Sequence, residues 1–256
     1  MSTPPKFAVV MGGAQGIGGA CTRRLVADGF GVAIADLNLD AAKQLSAELN
    51  AAGANTVPFK VNITSAADLA VLADGVKKWA GTGVSVLVNS AGIFHERKPL
   101  RQTTLEVFRQ MLEVNLVGAF AFSQALDTQL VPGACIVHVG SSGSTRPGGG
   151  LTAYRVSKNA LHFMARNLAV EYAADARKIR VNVVAPGWVD TPGERKVFEQ
   201  EGRTAVLDDP ESAKWMPLGR RNTPKEVADA VGFLCSEQAP NITGEVMFVD
   251  SGMNVR

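Results

Sequence analysis

Residues 7–11 form a short apolar run that leads directly into Gly12-Gly13-Ala14-Gln15-Gly16-Ile17-Gly18. So many glycines at one turn leave few possible folds. They permit a tight strand-to-helix turn, close approach of backbone to a pyrophosphate, and a helix packed hard on its strand. The free N–H groups of that helix then face the anion. The spacing is GxxxGxG rather than GxGxxG, and a purely structural glycine turn is the competing explanation. Glycine supplies 26 of the 256 residues, against a usual share of ~7%, so their positions carry the information.

The strand-then-helix rhythm continues. Apolar, Val- and Ile-rich strand candidates fall at 32–36, 56–62, 84–89, 135–139, 179–185 and 246–249. Helical patterns cover 17–28, 39–51, 65–80, 104–129, 152–174 and 224–236. Most of the strands are continuously apolar, as parallel strands covered on both faces are. The alternation predicts an α/β fold. The expectation for residues 1–256 is a single doubly wound Rossmann-type domain, a seven-stranded parallel sheet with helices on both faces and ligands at the strands' carboxyl ends. Residues 188–221 break the rhythm with a charged stretch. It is either a substrate lid or an ordinary surface excursion.

Composition removes several classes of function. Lys and Arg number 26 against 24 Asp and Glu, which predicts neither a nucleic-acid nor a membrane-surface partner. There is no long apolar run and no signal-like start, so a cytoplasmic protein is expected. Cys21, Cys135 and Cys235 are scattered and read as reduced thiols, and His95, His138 and His162 share no ligand spacing. No metal is expected.

Two further features point to chemistry. The second strand ends in Asp36, 24 residues after Gly12. An acid there accepts hydrogen bonds from an adenosine ribose and repels a 2′-phosphate, so NAD is favoured over NADP. Neither Gln15 nor Leu37 offers a base for such a phosphate, and a helix cap is the plainer alternative for Asp36. Tyr154 and Lys158 stand four apart on one helix face. A nearby ammonium is expected to lower the phenol below its ordinary pKa of ~10 and make it a usable acid/base. The strand ending Val139-Gly140-Ser141-Ser142 presents a hydroxyl at the same sheet edge.

With these motifs in order, the chain closely resembles the short-chain dehydrogenase/reductase family along nearly its whole length. The glycine loop resembles the family's cofactor loop, Asn89-Ser90-Ala91-Gly92 its NNAG segment, Pro186-Gly187-Trp188-Val189-Asp190-Thr191 its PG…T segment, and Thr243-Gly244…Val249-Asp250 its ending. Ser141 precedes Tyr154 by 13 residues, the family's usual interval. The resemblance implies catalytic roles for Asn115, Ser141, Tyr154 and Lys158. Ser141 would hold the substrate oxygen and Tyr154 would move the proton. Lys158 would tune Tyr154 and bind the nicotinamide ribose, and Asn115 would hold a water linking Lys158 to solvent.

NAD would lie on Gly12, Gln15, Gly16, Ile17 and Gly18, with Asp36, Leu37, Asn62 and Ile63 at its adenosine end. Asn89, Ala91, Gly92, Tyr154, Lys158, Pro186, Gly187, Val189 and Thr191 would take the nicotinamide end. Substrate would meet Ser141, Tyr154, Ile93, Phe94, His95, Ser142, Ser144, Arg146, Trp188 and a lid at 194–215. Arg146, Arg155 or Arg195 would either bind an anionic substituent or stay solvated. Met11, Ser90, Asn62 and Ser251 depart from the family pattern without touching the catalytic set.

The activity expected is NAD-dependent interconversion of a small secondary alcohol and a ketone. The alternatives are an NADPH-dependent 3-oxoacyl-carrier-protein reductase, or a binding protein that keeps the fold without catalysis. Helices 104–129 and 152–174 are apolar on more than one face. The resemblance makes that surface a homotetramer interface; deep burial within one subunit would give the same pattern.

Overall fold

A computed structural model describes residues 6–255. Its seven strands are β1 Lys6–Met11, β2 Phe30–Asp36, β3 Thr56–Lys60, β4 Val84–Asn89, β5 Leu130–Val139, β6 Arg180–Pro186 and β7 Val246–Val249. They form one sheet in the order β3-β2-β1-β4-β5-β6-β7, and every pairing is parallel. The chain runs from the middle to one edge, then returns to place β4 beside β1. At that switch the connections leave β1 and β4 in opposite directions, which opens a crevice at their carboxyl ends.

Successive strand residues point to opposite faces, so each strand feeds two cores. Phe7, Val9 and Met11 pack with Leu69, Leu72, Phe122 and Leu168 on one side. Ala8 and Val10 pack with Cys21, Leu25, Leu45, Val231 and Leu234 on the other. Burial of each such Leu or Phe side chain stabilises the fold by roughly 1.5–3 kcal/mol. The first core lies under α3 (Ala66–Ala80), α5 (Gly118–Leu126) and α6 (Thr152–Ala174), the second under α1 (Gly16–Ala27), α2 (Leu39–Ala51) and α9 (Pro224–Cys235). Strand and helix positions follow the sequence expectation closely, although β3 stops at Lys60, short of Asn62, and β5 begins at Leu130 rather than Cys135.

Two differences bear on the site. The expected helix 104–129 forms, but it is not regular α-helix throughout. α4 (Leu105–Leu112) passes through a π-helical turn, Glu113–Val117, before α5 begins, and a short 3-10 turn follows. The widened turn re-aims Asn115. The 188–221 segment is also more ordered than its composition suggests: it holds α7 (Pro192–Gln200), α8 (Thr204–Asp208) and a 3-10 turn, Pro210–Ala213. Many of its charges pair internally, Arg195 with Asp190 and Asp208, and Arg203 with Glu201, while Glu201 also meets Arg97 and Arg220 meets Glu226.

On α6, Leu161 and Leu168 are buried, but Phe163 is 67% and Val156 43% exposed. Burial within one subunit therefore does not explain that apolar face. Among the described residues no helix is long and apolar enough to cross a membrane.

Candidate active site

A cavity of about 680 Å³ opens at the carboxyl edge of the sheet. One end is built by the glycine loop. Gly12 and Gly16 have φ of +71° and +56°, a region costly for residues with a Cβ. A Cβ on Gly18 would lie 1.9 Å from Gly12 O, and one on Gly12 would lie 2.7 Å from Ala91 N. The Asp36 carboxylate ties the loop down: its Oδ2 accepts from Ala14 N at 3.0 Å and its Oδ1 from Asn38 N at 2.9 Å. The cap of α2 is Asn38, whose side chain accepts from Ala41 N, so Asp36 is not the helix cap. Each carboxylate oxygen retains a lone pair for another donor. A Gly18→Ala variant should lose about 1–3 kcal/mol of stability, because backbone must yield to the new methyl. It should also lose NADH binding; thermal denaturation and NADH fluorescence titration check the two effects.

The cavity wall includes Gly12, Gln15, Gly16, Ile17, Asp36 and Leu37, then Asn62 and Ile63, then Ala91, Gly92, Pro186, Gly187, Val189 and Thr191. Gly18 and Asn89 stand behind the wall. Asn89 Oδ1 accepts from Ala91 N at 3.2 Å and so shapes the turn after β4. Asn62 Oδ1 is engaged by Thr64 N and the Thr64 hydroxyl. A glycine cradle, a buried carboxylate beside it and a long cavity toward β4–β6 fit a dinucleotide, phosphates on the loop and ribose on Asp36.

At the other end Phe94, Ser141, Tyr154 and Lys158 line the same cavity. The Phe94 and Tyr154 rings meet edge to face, centroids 5.9 Å apart. Lys158 Nζ is buried and donates to Val139 O at 2.9 Å; desolvation brings its pKa down to about 8. Sequence reasoning expects Lys158 to lower the Tyr154 phenol, but Lys158 is not among the groups that shift it here. Burial raises the phenol above its ordinary value, Glu194 adds to the rise, and Ser141 and Arg155 offset part of it. The lysine's ammonium gives one of its three donors to a backbone carbonyl.

Asn115 faces the loop after β4 rather than offering a free amide. Its Nδ2 donates to Ile93 O (2.9 Å) and Ser157 Oγ (3.0 Å), and its Oδ1 accepts from Ile93 N (2.8 Å). Gly92 admits this packing, since a Cβ there would lie 2.9 Å from Lys158 Nζ. His162, which sequence reasoning considers only as a metal ligand, accepts from Ser141 N at 3.2 Å through Nε2. A Cβ on Gly140 would occupy that space, 2.2 Å from the same nitrogen. The signal was present: Tyr154, Lys158 and His162 stand at i, i+4 and i+8 on α6.

The other substrate-side expectations divide. His95, Arg146 and Trp188 do not line the cavity. His95 Nδ1 lies 2.5 Å from Glu96 O, and Trp188 stacks on Phe198 with Arg221 over its ring. Arg155 holds the 143–146 loop through Gly143 O and Arg146 O, and Arg195 is in its ion pairs. Glu194, at the start of the expected 194–215 lid but not singled out in sequence, does line the cavity, as do Gln110 and Glu113.

Comparisons with known proteins agree with this geometry. A family model described as enoyl-(acyl carrier protein) reductase matches residues 12–254. The chain is 35% identical to a 3-oxoacyl-[acyl-carrier-protein] reductase of Mus musculus over 98% of each chain. It is also 35% identical to 4-formylbenzenesulfonate dehydrogenase of Comamonas testosteroni over 100% of each. Among solved structures, the 3-ketoacyl-(acyl-carrier-protein) reductase of Brucella melitensis complexed with NADH superposes with a TM-score of 0.84 at 27% identity, covering 97% of this chain and 98% of that one.

Proposed function

The chain belongs to the short-chain dehydrogenase/reductase family, and on that premise we propose that it is an NAD-dependent oxidoreductase interconverting a secondary alcohol and a ketone. The observation that carries this reading is one cavity joining the glycine cradle and Asp36 to Ser141, Tyr154 and Lys158. Nicotinamide, when bound, supplies or accepts the hydride; the protein contributes position and electrostatics.

The Ser141 hydroxyl would donate to the substrate oxygen and stabilise charge developing there, its backbone held by His162. The Tyr154 phenol would give its proton to that oxygen in reduction and take one in oxidation. Burial keeps the phenol protonated at neutral pH, which suits the reductive direction. Lys158, anchored on Val139 O, would bind the nicotinamide ribose. Asn115 would keep the 92–94 loop seated above it.

Asp36 supports NAD, because its buried carboxylate would face a 2′-phosphate with like charge and Leu37 (67% exposed) offers no counter-charge. Combining Asp36→Ala with Leu37→Arg should raise kcat/KM with NADPH relative to NADH by at least tenfold, about 1.4 kcal/mol. Steady-state rates with the two cofactors measure it, and an unchanged ratio rejects the role of Asp36. The mouse relative supports a second reading, NADPH-dependent reduction of 3-oxoacyl thioesters on acyl carrier protein. Turnover of such a thioester in preference to free alcohols and ketones would establish it. The most direct test of the main reading is an alcohol and ketone panel assayed with NAD⁺ and NADH.

The exposed apolar residues Phe120, Val156, Phe163 and Val170 support a homotetramer, which sedimentation would test. Residues 188–221 would form the substrate lid. The free Cys21, Cys135 and Cys235 suit a reducing cytoplasm.

A further inference from the structure

Two helices of this chain start with the same spelling, Thr-Pro-x-Glu: α7 at Thr191–Glu194 and α9 at Thr223–Glu226. In both, the Thr hydroxyl accepts from the Glu backbone N–H. In α9 the carboxylate of Glu226 turns back and accepts from Thr223 N at 2.8 Å, closing a capping box. In α7 the box is left open. Glu194 Oε2 is buried with no hydrogen-bond partner, as is Trp188 Nε1, and Glu194 lines the cavity beside Ser141 and Tyr154. A buried carboxyl that forgoes an available cap is costly unless something else meets it.

The groups around Glu194 narrow what that partner is. Asp190 disfavours its charge, while Arg221, Arg97 and the Trp188 indole favour it. None of the three satisfies it: Arg221 spends its Nη groups on Val206 O, Leu207 O and Ser212 Oγ, and Arg97 is held by Glu201. Arg221 Nε and Trp188 Nε1, though close enough to favour the charge, make no hydrogen bond to it. Among the described residues Glu194 forms no ion pair. Burial pushes its pKa up to about 8, so at neutral pH it is a carboxylic acid that both donates and accepts. A hydroxyl matches that pair of functions. An anionic substituent would be opposed by Asp190 and, as pH rises, by Glu194 itself; a cationic one would face Arg97, Arg221 and Lys158.

We propose that Glu194 recognises a second hydroxyl on the substrate, so that the preferred substrates are neutral vicinal diols and the corresponding hydroxyketones. This rests on the alcohol/ketone oxidoreductase reading above.

The test uses matched probes: cyclohexanol against trans-cyclohexane-1,2-diol, and 2-butanol against 2,3-butanediol. Each is assayed for NAD⁺-dependent turnover and for binding to the enzyme–NADH complex by fluorescence. The wild type should favour at least one diol over its partner by tenfold or more, equivalent to about 1.4 kcal/mol. In Glu194→Ala that ratio should fall toward one. In Glu194→Gln, which keeps a donor and an acceptor in the same shape, the ratio should survive but lose its change as pH rises through about 8. The proposal is overturned if the wild type prefers no diol in either readout, or if Glu194→Ala weakens diol and mono-alcohol equally. NADH titration separates the two failures. NADH binding without diol preference removes only the role of Glu194, whereas absence of NADH binding removes the NAD-dependent reading beneath it.

Discussion

Replacing Tyr154 with phenylalanine should cut turnover by about 10²- to 10⁴-fold, the range typical for loss of a positioned acid/base, while NADH binds as before. The ring itself is retained, so its edge-to-face contact with Phe94 and the course of α6 are kept. Only the hydroxyl that lies against Ser141 is lost. The raised phenol also sets the pH behaviour. Carbonyl reduction needs the proton on oxygen, so its rate should hold through neutral pH and decline only as the phenol ionises. Alcohol oxidation needs the base form, so its rate should climb across the same alkaline range. Steady-state rates in both directions from pH 6 to 10, with NADH fluorescence titration of the variant, provide the check. A variant with a near-normal rate would remove Tyr154 from the chemistry.

The parts legible in sequence are those whose demands are local. The turn at Gly12–Gly18 has to be glycine because a Cβ at Gly18 would meet Gly12 O at 1.9 Å, and that requirement is written in consecutive residues. The strands are legible because both faces of each are covered, so Val and Ile run without alternation. The π-helical turn at Glu113–Val117 was not legible, since no residue type there departs from ordinary helix. The role of Lys158 was not either: spacing places its ammonium on the face of Tyr154 but does not reveal the Val139 carbonyl that takes it. By contrast α7 was legible and unread. Its Thr191-Pro192 start carries the same signal as Thr223-Pro224, obscured by the charged residues around it, which pair within the segment or with its neighbours in the fold.

Acidification from pH 7 to 5 should cost the fold about 4 kcal/mol through two histidines alone. His138 is fully buried on β5 with both ring nitrogens unpartnered. Burial first, then the neighbouring Lys158, lowers its pKa to about 4. His162, buried beside Ser141, is lowered to about 4 by the same two causes. An unfolded histidine titrates near ~6.5. Below that pH the unfolded chain takes up a proton at each site that the native chain refuses until about 4. The stabilisation is therefore complete above ~6.5 and is lost progressively as pH falls toward the native values, at ~1.4 kcal/mol per pH unit for each residue. By pH 5 that is about 2 kcal/mol apiece, a sizeable part of the 5–15 kcal/mol typical of a folded domain. Urea midpoints at pH 7 and 5 measure the loss. His138→Leu removes one of the two sites and two unpartnered nitrogens, so it should be no less stable than wild type at pH 7 and lose about half as much through these histidines on acidification. Carboxylates titrate equally in both proteins, so the difference between their slopes isolates His138, and identical slopes would mean that its proton is already accommodated in the native state.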